Sequence, residues 1–207
     1  MSEASIPSIF EVSGSGQCCQ VPTSALSPRS PYRLYRFLSE LDDILDQTTD
    51  ERQRLRAIAC NVHQLLTESD WLTLEFSPPN PKTGWSVNIL YNEPDYPLTV
   101  QNVVWAPGQR SPIHNHATWG IVALIRGLEK NTFWRRTDAG IGAGAAQIEV
   151  VEEHVLEPGD ILCLTQDAIH HVEAISDEPT ITFNVYGITD FQRRLEFNPK
   201  QQVAKLF

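Results

Sequence analysis

The chain has 207 residues and a formal net charge of −10. An acidic chain without a dense cluster of Lys and Arg lacks the electrostatic footprint of a nucleic-acid-binding protein, so we expect a small-molecule partner and no nucleic acid. The sequence contains no run of about 18 apolar residues that would predict a membrane span. Because residues 1–4 also lack the pattern of a secretion signal, we expect a cytoplasmic protein with no membrane partner.

Changes in composition divide the chain into four parts. Residues 1–29 mix Ser, Gly and Pro with few periodic apolar positions, which predicts a flexible or loosely docked leader. The length of the remainder suits a single domain over 30–207. Within that domain we expect a helical part over 30–70, a β-rich part over 85–190 and a C-terminal tail over 191–207.

Two helices are predicted in the helical part. Ser30 suits an N-cap position and Pro31 suits the first turn, where its missing N–H costs nothing. The apolar residues that follow recur at intervals of three and four and form one helix face: Leu34, Phe37, Leu38, Leu41, Ile44 and Leu45. A second helix is predicted to begin at Thr48, whose partner Glu51 completes a capping-box pattern. We expect the two helices to pack as a hairpin.

Beyond residue 85 the sequence consists of short runs of β-branched and aromatic residues separated by Gly, Pro, Asn and Asp. These runs predict strands over residues 86–91, 99–105, 113–116, 120–125, 129–136, 146–155, 161–164, 170–175 and 180–186. Many short strands without intervening helices predict a mainly β fold, an antiparallel sandwich or barrel. The glycine-rich stretch 138–144 fits a hairpin tip better than a nucleotide-binding loop, since no helix with a Lys follows it.

Three histidines suggest a metal site. His114 and His116 are two residues apart, which on a strand places both imidazoles on one face. A His-x-His pair alone is a weak signal, because two surface histidines can have the same spacing. For the third ligand, His170 shares the more apolar face of its predicted strand, whereas His171 shares the face of Glu173. We therefore prefer His170.

Three neutral imidazoles leave a divalent ion its full positive charge and open positions for other ligands. An anionic thiolate would balance that charge and would suit iron, whereas zinc at the same ligands would favour bound hydroxide and hydrolysis. In the last predicted strand, Thr182, Asn184 and Tyr186 share one face. Tyr186 is either an ordinary strand aromatic or a phenol that can hydrogen-bond to a reacting group.

The combined pattern resembles the two cupin motifs, which are carried here by Gly108, His114, His116 and Gly127, and by Pro158, Gly159, Asp160 and His170. Gly120 stands where the usual first motif has a glutamate. The loss of this glutamate, together with four short runs, is similar to the thiol dioxygenases of the cysteine dioxygenase type, and closest to their bacterial 3-mercaptopropionate dioxygenase branch. Those runs are 112–116, Trp119-Gly120, Gly127-x-Glu129 and 169–173.

This resemblance implies a cupin-type antiparallel β-barrel, or jelly roll, with an N-terminal α-helical hairpin. It implies Fe(II) bound by His114, His116 and His170, with zinc or nickel as alternatives in the purified protein. The implied reaction converts a small thiol carboxylate, similar to 3-mercaptopropionate or cysteine, and O2 to a sulfinic acid. Gly120 excludes the cysteine–tyrosine crosslink of animal cysteine dioxygenases, so Tyr186 would be a free phenol. We expect a monomer or a weak homodimer.

One departure from the family concerns the last strand, where the family has Ser-x-His-x-Tyr and this chain has Thr182, Asn184 and Tyr186. These three residues are the predicted catalytic set. Thr182 can replace the serine hydroxyl, but Asn184 does not titrate near neutral pH as histidine does. We therefore expect metal binding to be retained, while Asn184 can orient Tyr186 through its amide.

Another departure concerns the substrate carboxylate. The arginine of cysteine dioxygenases aligns with Asn88, whereas the bacterial branch has an arginine shortly after the tyrosine. Arg193 and Arg194 are therefore the candidate substrate-binding residues, because a guanidinium can pair with a carboxylate through two hydrogen bonds. Either could instead be a solvated surface charge. Trp119 is grouped with these substrate-binding candidates because it is expected beside the site, as a packing residue rather than a participant in the chemistry.

Two other functions fit the same residues. Asn184 and the long leader are consistent with a metal-binding cupin that acts as a ligand-binding or regulatory module. The same barrel could also carry a different metal-dependent reaction, since a fold does not determine a function.

Overall fold

The computed structural model describes residues 8–21, 32–69, 76–94 and 96–207. The two helices are α1 (Leu34–Gln47) and α2 (Glu51–Glu68). The strands are β1 (Ile9–Val12), β2 (Cys18–Val21), β3 (Trp85–Asn92), β4 (Leu98–Trp105), β5 (Ile113–Asn115), β6 (Gly120–Arg126), β7 (Glu129–Arg136), β8 (Gly144–Ala145), β9 (Ile148–Leu156), β10 (Ile161–Leu164), β11 (Ile169–Ala174), β12 (Thr180–Gly187), β13 (Leu195–Asn198) and β14 (Val203–Leu206). Neither helix in these ranges is long and apolar enough to cross a membrane.

The strands form two seven-stranded sheets. One has the order β2-β1-β10-β6-β12-β4-β3 and the other has the order β8-β14-β13-β5-β11-β7-β9. Pairing is antiparallel except between β1 and β10 in the part of the chain described. Apolar side chains from both sheets meet in one core, for example Val122 and Leu124 of β6 with Phe133 of β7. This arrangement confirms the predicted mainly β fold, built of antiparallel strands, with an N-terminal pair of helices.

The helices cover the outer face of the first sheet. Phe37 and Leu41 of α1, and Leu55 and Ile58 of α2, are fully buried. They belong to a core cluster that also contains Phe183 of β12. The apolar period of three and four residues in α1 therefore marks the face that packs on the sheet.

The helix starts differ from those predicted. α1 begins at Leu34 with Arg33 at its N-cap, whereas residues 30 and 31 lie outside the described residues. α2 is capped by Asp50, whose Oδ1 accepts a hydrogen bond from the Gln53 N–H at 2.8 Å. Thr48 is instead the C-cap residue of α1, where its N–H bonds to the Ile44 carbonyl. Asp50 is thus the residue placed to satisfy a free amide of α2.

Part of the segment predicted as a flexible leader is a β-hairpin. β1 pairs with β2 and lies parallel to β10, so it extends the first sheet. Ile9 and Val12 are buried, and the buried carboxylate of Glu11 pairs with Arg56 of α2 at 2.9 Å. Each strand has only four residues, which is too short to give a clear period of two. For residues 8–21 the expectation of a flexible or loosely docked leader is therefore corrected, and local patterns missed the hairpin because β1 pairs with a distant part of the chain.

The C-terminal segment predicted as a tail also joins a sheet. β13 pairs with β14 on one side and with β5 on the other. Leu195 and Phe197 of β13 are buried. β5, which carries His114, is consequently held between β13 and β11.

Alternation along β12 separates two environments. Phe183 and Val185 face the cluster beneath the helices, whereas Thr182, Asn184 and Tyr186 line a cavity between the sheets. The predicted polar face of this strand thus points to the interior of the barrel.

Candidate metal centre

Three imidazoles converge at one end of the cavity. His114 lies on β5 opposite His170 on β11, and His116 follows β5, where Ala117 turns the chain in the left-handed region with φ 51°. One ring nitrogen from each histidine lies within 4.8 Å of the others. The Nε2 atoms of His116 and His170 are 3.0 Å apart. Two nitrogens bound to one ion at about 2.1 Å and at a right angle would have a similar separation, so the cluster fits a metal ion.

Hydrogen bonds on the far side of two rings fix their tautomers. The Pro112 carbonyl can only accept, so Nδ1 of His114 donates to it at 2.9 Å. Nδ1 of His170 similarly donates to Oδ1 of Asn131 at 3.1 Å. The Nε2 atoms therefore present lone pairs to the cluster, as metal-binding histidines must. His171 faces away and accepts a hydrogen bond from Nε1 of Trp134 at 3.0 Å.

Burial keeps these imidazoles neutral. It lowers the pKa of His114 to about 4. Burial also lowers the pKa values of His116 and His170 well below the usual value, with a smaller contribution from the neighbouring histidines. The neutral form is the one that binds a metal ion, because a protonated ring nitrogen has no free lone pair.

A buried carboxyl group lies behind Asn131. Nδ2 of Asn131 donates to Oε1 of Glu129 at 2.9 Å, so Glu129 orients the amide that in turn orients His170. Burial raises the pKa of Glu129 to about 7. In the sequence, Glu129 was noted only as part of the Gly127-x-Glu129 run. Its position on the same strand face as Phe133, which is in the core, was the signal that an acidic residue points inward.

The predicted catalytic set adjoins the cluster. The Tyr186 ring stacks on that of His116, with centroids 4.6 Å apart and an interplanar angle of 21°. Nδ2 of Asn184 donates to Oγ1 of Thr182 at 3.0 Å, and the Tyr186 hydroxyl donates to Oδ1 of Asn184 at 3.5 Å. Burial raises the pKa of Tyr186, so the phenol is protonated at neutral pH and can donate.

Of the two candidate arginines, Arg194 lines the cavity and Arg193 does not. Arg193 is exposed and pairs with Asp167 at 3.2 Å. The Arg194 guanidinium lies 4.3 Å from the ring centre of Phe207. Its Nε is buried without a hydrogen-bond partner among the described residues. Arg194 is thus placed to bind an anion in the cavity.

Asn115, the residue between the two motif histidines, holds Arg194 in place. Its Oδ1 accepts from the Leu195 N–H at 2.7 Å and its Nδ2 donates to the Arg193 carbonyl at 3.1 Å. These two bonds fix the backbone on both sides of Arg194. This role of Asn115 could not be predicted from local sequence, because its partners lie about 80 residues further along the chain.

Trp119 is not a substrate-binding residue in this structure. Its side chain is 7% exposed and belongs to the core cluster beneath the helices, where Arg54 of α2 lies 5.9 Å from its ring centre. Side chains alternate along β6, and those of Val122 and other even-numbered residues face the barrel interior. Odd-numbered residues, including Trp119, therefore point to the other side of the sheet. Trp119 is thus a packing residue, as expected, but it packs beneath the helices and is not among the residues that line the cavity.

The cavity has a volume of about 940 Å³. Its lining near the histidines includes the polar and charged residues Glu129, Thr182, Asn184, Tyr186 and Arg194, together with the ring of Phe207. An anionic ligand in this part of the cavity would meet the guanidinium of Arg194 and the hydroxyl of Tyr186 beside the histidine cluster.

No protein-family model matches the chain. Similar solved structures include an oxalate oxidase in complex with the substrate analogue glycolate, at 16% identity and a TM-score of 0.42. The match covers 59% of this chain and 59% of that chain, which is less than two thirds of the oxalate oxidase. Others are a cupin superfamily protein from Desulfitobacterium hafniense (13% identity, TM-score 0.40, 56% of this chain and 84% of that chain) and KdgF from Halomonas sp. (17%, 0.40, 54% and 86%).

Proposed function

We propose that this protein is an Fe(II)-dependent thiol dioxygenase that converts a small mercapto acid and O2 to a sulfinic acid. The observation that carries the proposal is a buried cluster of three histidines that shares its cavity with Tyr186 and Arg194. Within the described residues, no carboxylate belongs to the cluster. An all-imidazole donor set leaves a bound divalent ion with a positive charge that a thiolate can balance.

His114, His116 and His170 would hold the iron through their Nε2 atoms. Bound iron(II) would supply the redox chemistry that couples the oxidation of sulfur to the reduction of O2. In the overall reaction both oxygen atoms bond to sulfur, so the thiol is the only reductant required and the oxidised group is the sulfinic acid.

Arg194 supports a carboxylate-bearing substrate. Its guanidinium lies over the Phe207 ring, and the hydrogen bonds of Asn115 hold the backbone on both sides of Arg194, so binding has less conformational entropy to remove. Pairing with a carboxylate would satisfy its buried Nε and fix one end of the substrate. The proposed substrate is therefore a mercapto acid rather than a simple thiol.

Tyr186 is the proposed hydrogen-bond donor of the site, and Glu129 is the proposed proton acceptor. The protonated phenol of Tyr186 can donate a hydrogen bond to the substrate or to oxygen, while the Asn184 amide accepts from it. Asn184 cannot take up a proton. Glu129 lines the same cavity and its raised pKa lies near neutral pH, which makes its carboxylate the proposed acceptor for the thiol proton.

Asn184 also favours a second candidate function. A site with no titrating histidine in its last strand could bind metal and a carboxylate ligand without turning it over. In that case the protein would be a ligand-binding cupin.

Metal loading and oxygen consumption distinguish these functions. Metal-free protein would be loaded with iron(II), zinc or nickel and supplied with 3-mercaptopropionate, cysteine and thiols that lack a carboxylate. We expect oxygen uptake only with iron and a mercapto acid, and incorporation of both atoms of labelled O2 into the sulfinate. His170→Ala should abolish metal retention and uptake, whereas His171→Ala, next to it but outside the cluster, should retain both. Iron-loaded protein that consumes no oxygen with any thiol would favour the ligand-binding function.

A further inference from the structure

The cavity lining changes from polar to apolar along the first sheet. Paired residues of β12 and β4 form successive rows across the sheet: Tyr186 with Thr99, Asn184 with Gln101, Thr182 with Val103 and Thr180 with Trp105. β3 adds Val87 beside Val103 and Trp85 beside Trp105. The polar rows lie next to the histidine cluster, because Tyr186 stacks on His116. The rows that contain Val103 and Trp105 lie at the opposite end of the strands.

Four residues at this opposite end, Trp85, Val87, Val103 and Trp105, form what we call the tryptophan subsite. All four line the cavity. The two indole rings have centroids 6.1 Å apart and an interplanar angle of 41°. Trp85 is 40% exposed and Val87 is 38% exposed. Apolar side chains left accessible in a concave surface are typical of ligand-binding sites.

The dimensions of the cavity exceed those of a small mercapto acid. Thr99 and Trp105 are six positions apart on β4, a distance of about 20 Å at the usual rise of a strand. The volume of about 940 Å³ is near the upper end of the range of roughly 300–1,000 Å³ found for ligand pockets. A ligand held only by Arg194 and the histidines would leave the tryptophan subsite empty.

We propose that the substrate is an elongated amphipathic acid whose apolar, preferentially aromatic end binds the tryptophan subsite. Its anionic end binds Arg194 beside the histidine cluster, and the length between the two ends selects the substrate. The identity of the reacting group rests on the proposed thiol dioxygenase function. The subsite itself rests on the register of these four residues, on their position in the cavity lining and on the exposure of Trp85 and Val87.

Thiol-free acids test the subsite without turnover. The probes are phenylalkanoates, from phenylacetate to 8-phenyloctanoate, each compared with the straight-chain alkanoate of the same chain length. Binding to the full-length protein would be measured by calorimetry and by tryptophan fluorescence. We expect the terminal phenyl group to increase affinity by about tenfold or more in the longer acids, since burying a ring removes a large apolar area from water.

Two valines provide matched variants. Val87 and Val150 are both exposed valines on strands, at 38% and 51%, but Val150 lies on β9 and does not line the cavity. Val87→Ala should reduce the preference for the phenyl group by about threefold or more, and Trp85→Ala should reduce it further. Val150→Ala should leave it unchanged.

Two results would overturn the proposal: no phenylalkanoate binds more tightly than its alkanoate, or Val87→Ala and Val150→Ala behave alike. These probes contain no thiol, so the binding result is independent of the proposed chemistry. Oxidation of 3-mercaptopropionate without any preference for phenyl groups would retain the proposed function and reject the subsite. Preference for phenyl groups without thiol oxidation would retain the subsite and reject the proposed function.

Discussion

Tyr186 occupies the space that a side chain at residue 120 would need. A Cβ atom on Gly120 would lie 2.8 Å from Cε1 of Tyr186, which is closer than van der Waals contact allows. The same ring stacks on His116. The glycine at residue 120 and the tyrosine beside the histidine cluster are therefore a single packing arrangement: a side chain at residue 120 and the present position of Tyr186 exclude each other.

Gly120→Ala should accordingly destabilise the protein by about 1–3 kcal/mol, because the added methyl group must displace Tyr186 or the backbone of β6. Urea unfolding would measure the loss. Gly142→Ala is the control, since nothing lies within 4 Å of the added Cβ. In a Tyr186→Ala background the cost of Gly120→Ala should largely disappear. An equal cost in both backgrounds would show that the Tyr186 ring is not the obstacle.

Arg194→Gln should raise the KM for a mercapto acid by about 10–100-fold, because a charge-assisted pair with the substrate carboxylate is lost. Arg193→Gln is the control, since Arg193 pairs with Asp167 outside the cavity. Oxygen uptake at varied substrate concentration gives these values, and similar effects of both variants would contradict the assignment of Arg194.

Glu129 should make stability depend on pH. Burial raises its pKa from 4.5 to about 7, so folding disfavours the ionised carboxylate. The contribution of this group is intact below pH 4.5, decreases as the pH rises, and is lost above pH 7. The total loss is about 3 kcal/mol at about 1.4 kcal/mol per pKa unit.

Urea unfolding of metal-free protein between pH 5 and pH 8 would measure this loss. Glu129→Gln retains an oxygen that accepts from Asn131 and should remove this loss, so the stability of the variant relative to wild type should rise by the same amount between pH 5 and pH 8. Glu149→Gln changes an exposed carboxylate that pairs with Arg135 and should leave this difference from wild type constant. Parallel curves for wild type and Glu129→Gln would show that this carboxyl group is not the titrating one.

Asn131→Ala should weaken metal binding by about 10–100-fold, because His170 loses the acceptor that fixes its ring and tautomer. Competition with a chromogenic chelator would measure the affinity. Thr132→Ala is a suitable control on the same strand, since Thr132 bonds to Glu153 and has the opposite parity. If the two variants bind metal equally well, Asn131 does not orient His170.

Strand periodicity in the sequence predicted much of the arrangement of the site. Alternation separated His170 from His171, and the structure places the first in the cluster and the second against Trp134. It also placed Thr182, Asn184 and Tyr186 on one face. The same rule, counted from Gly120, would have turned Trp119 away from the cavity. These residues lie on or next to strands, where the position of a side chain follows from residue number alone.

The sequence by itself thus determined the mainly β fold class, the choice of His170 over His171 and the polar face of the last predicted strand, because these depend on local patterns of period two and 3.6. Only the tertiary structure decided between Arg193 and Arg194, added β1 and β13 to the sheets, and brought Tyr186 against Gly120. These features depend on contacts between residues far apart in the chain, such as the bonds from Asn115 that fix the backbone around Arg194. Local periodicity contains no information about which distant segments will meet, and packing of the complete chain settles it.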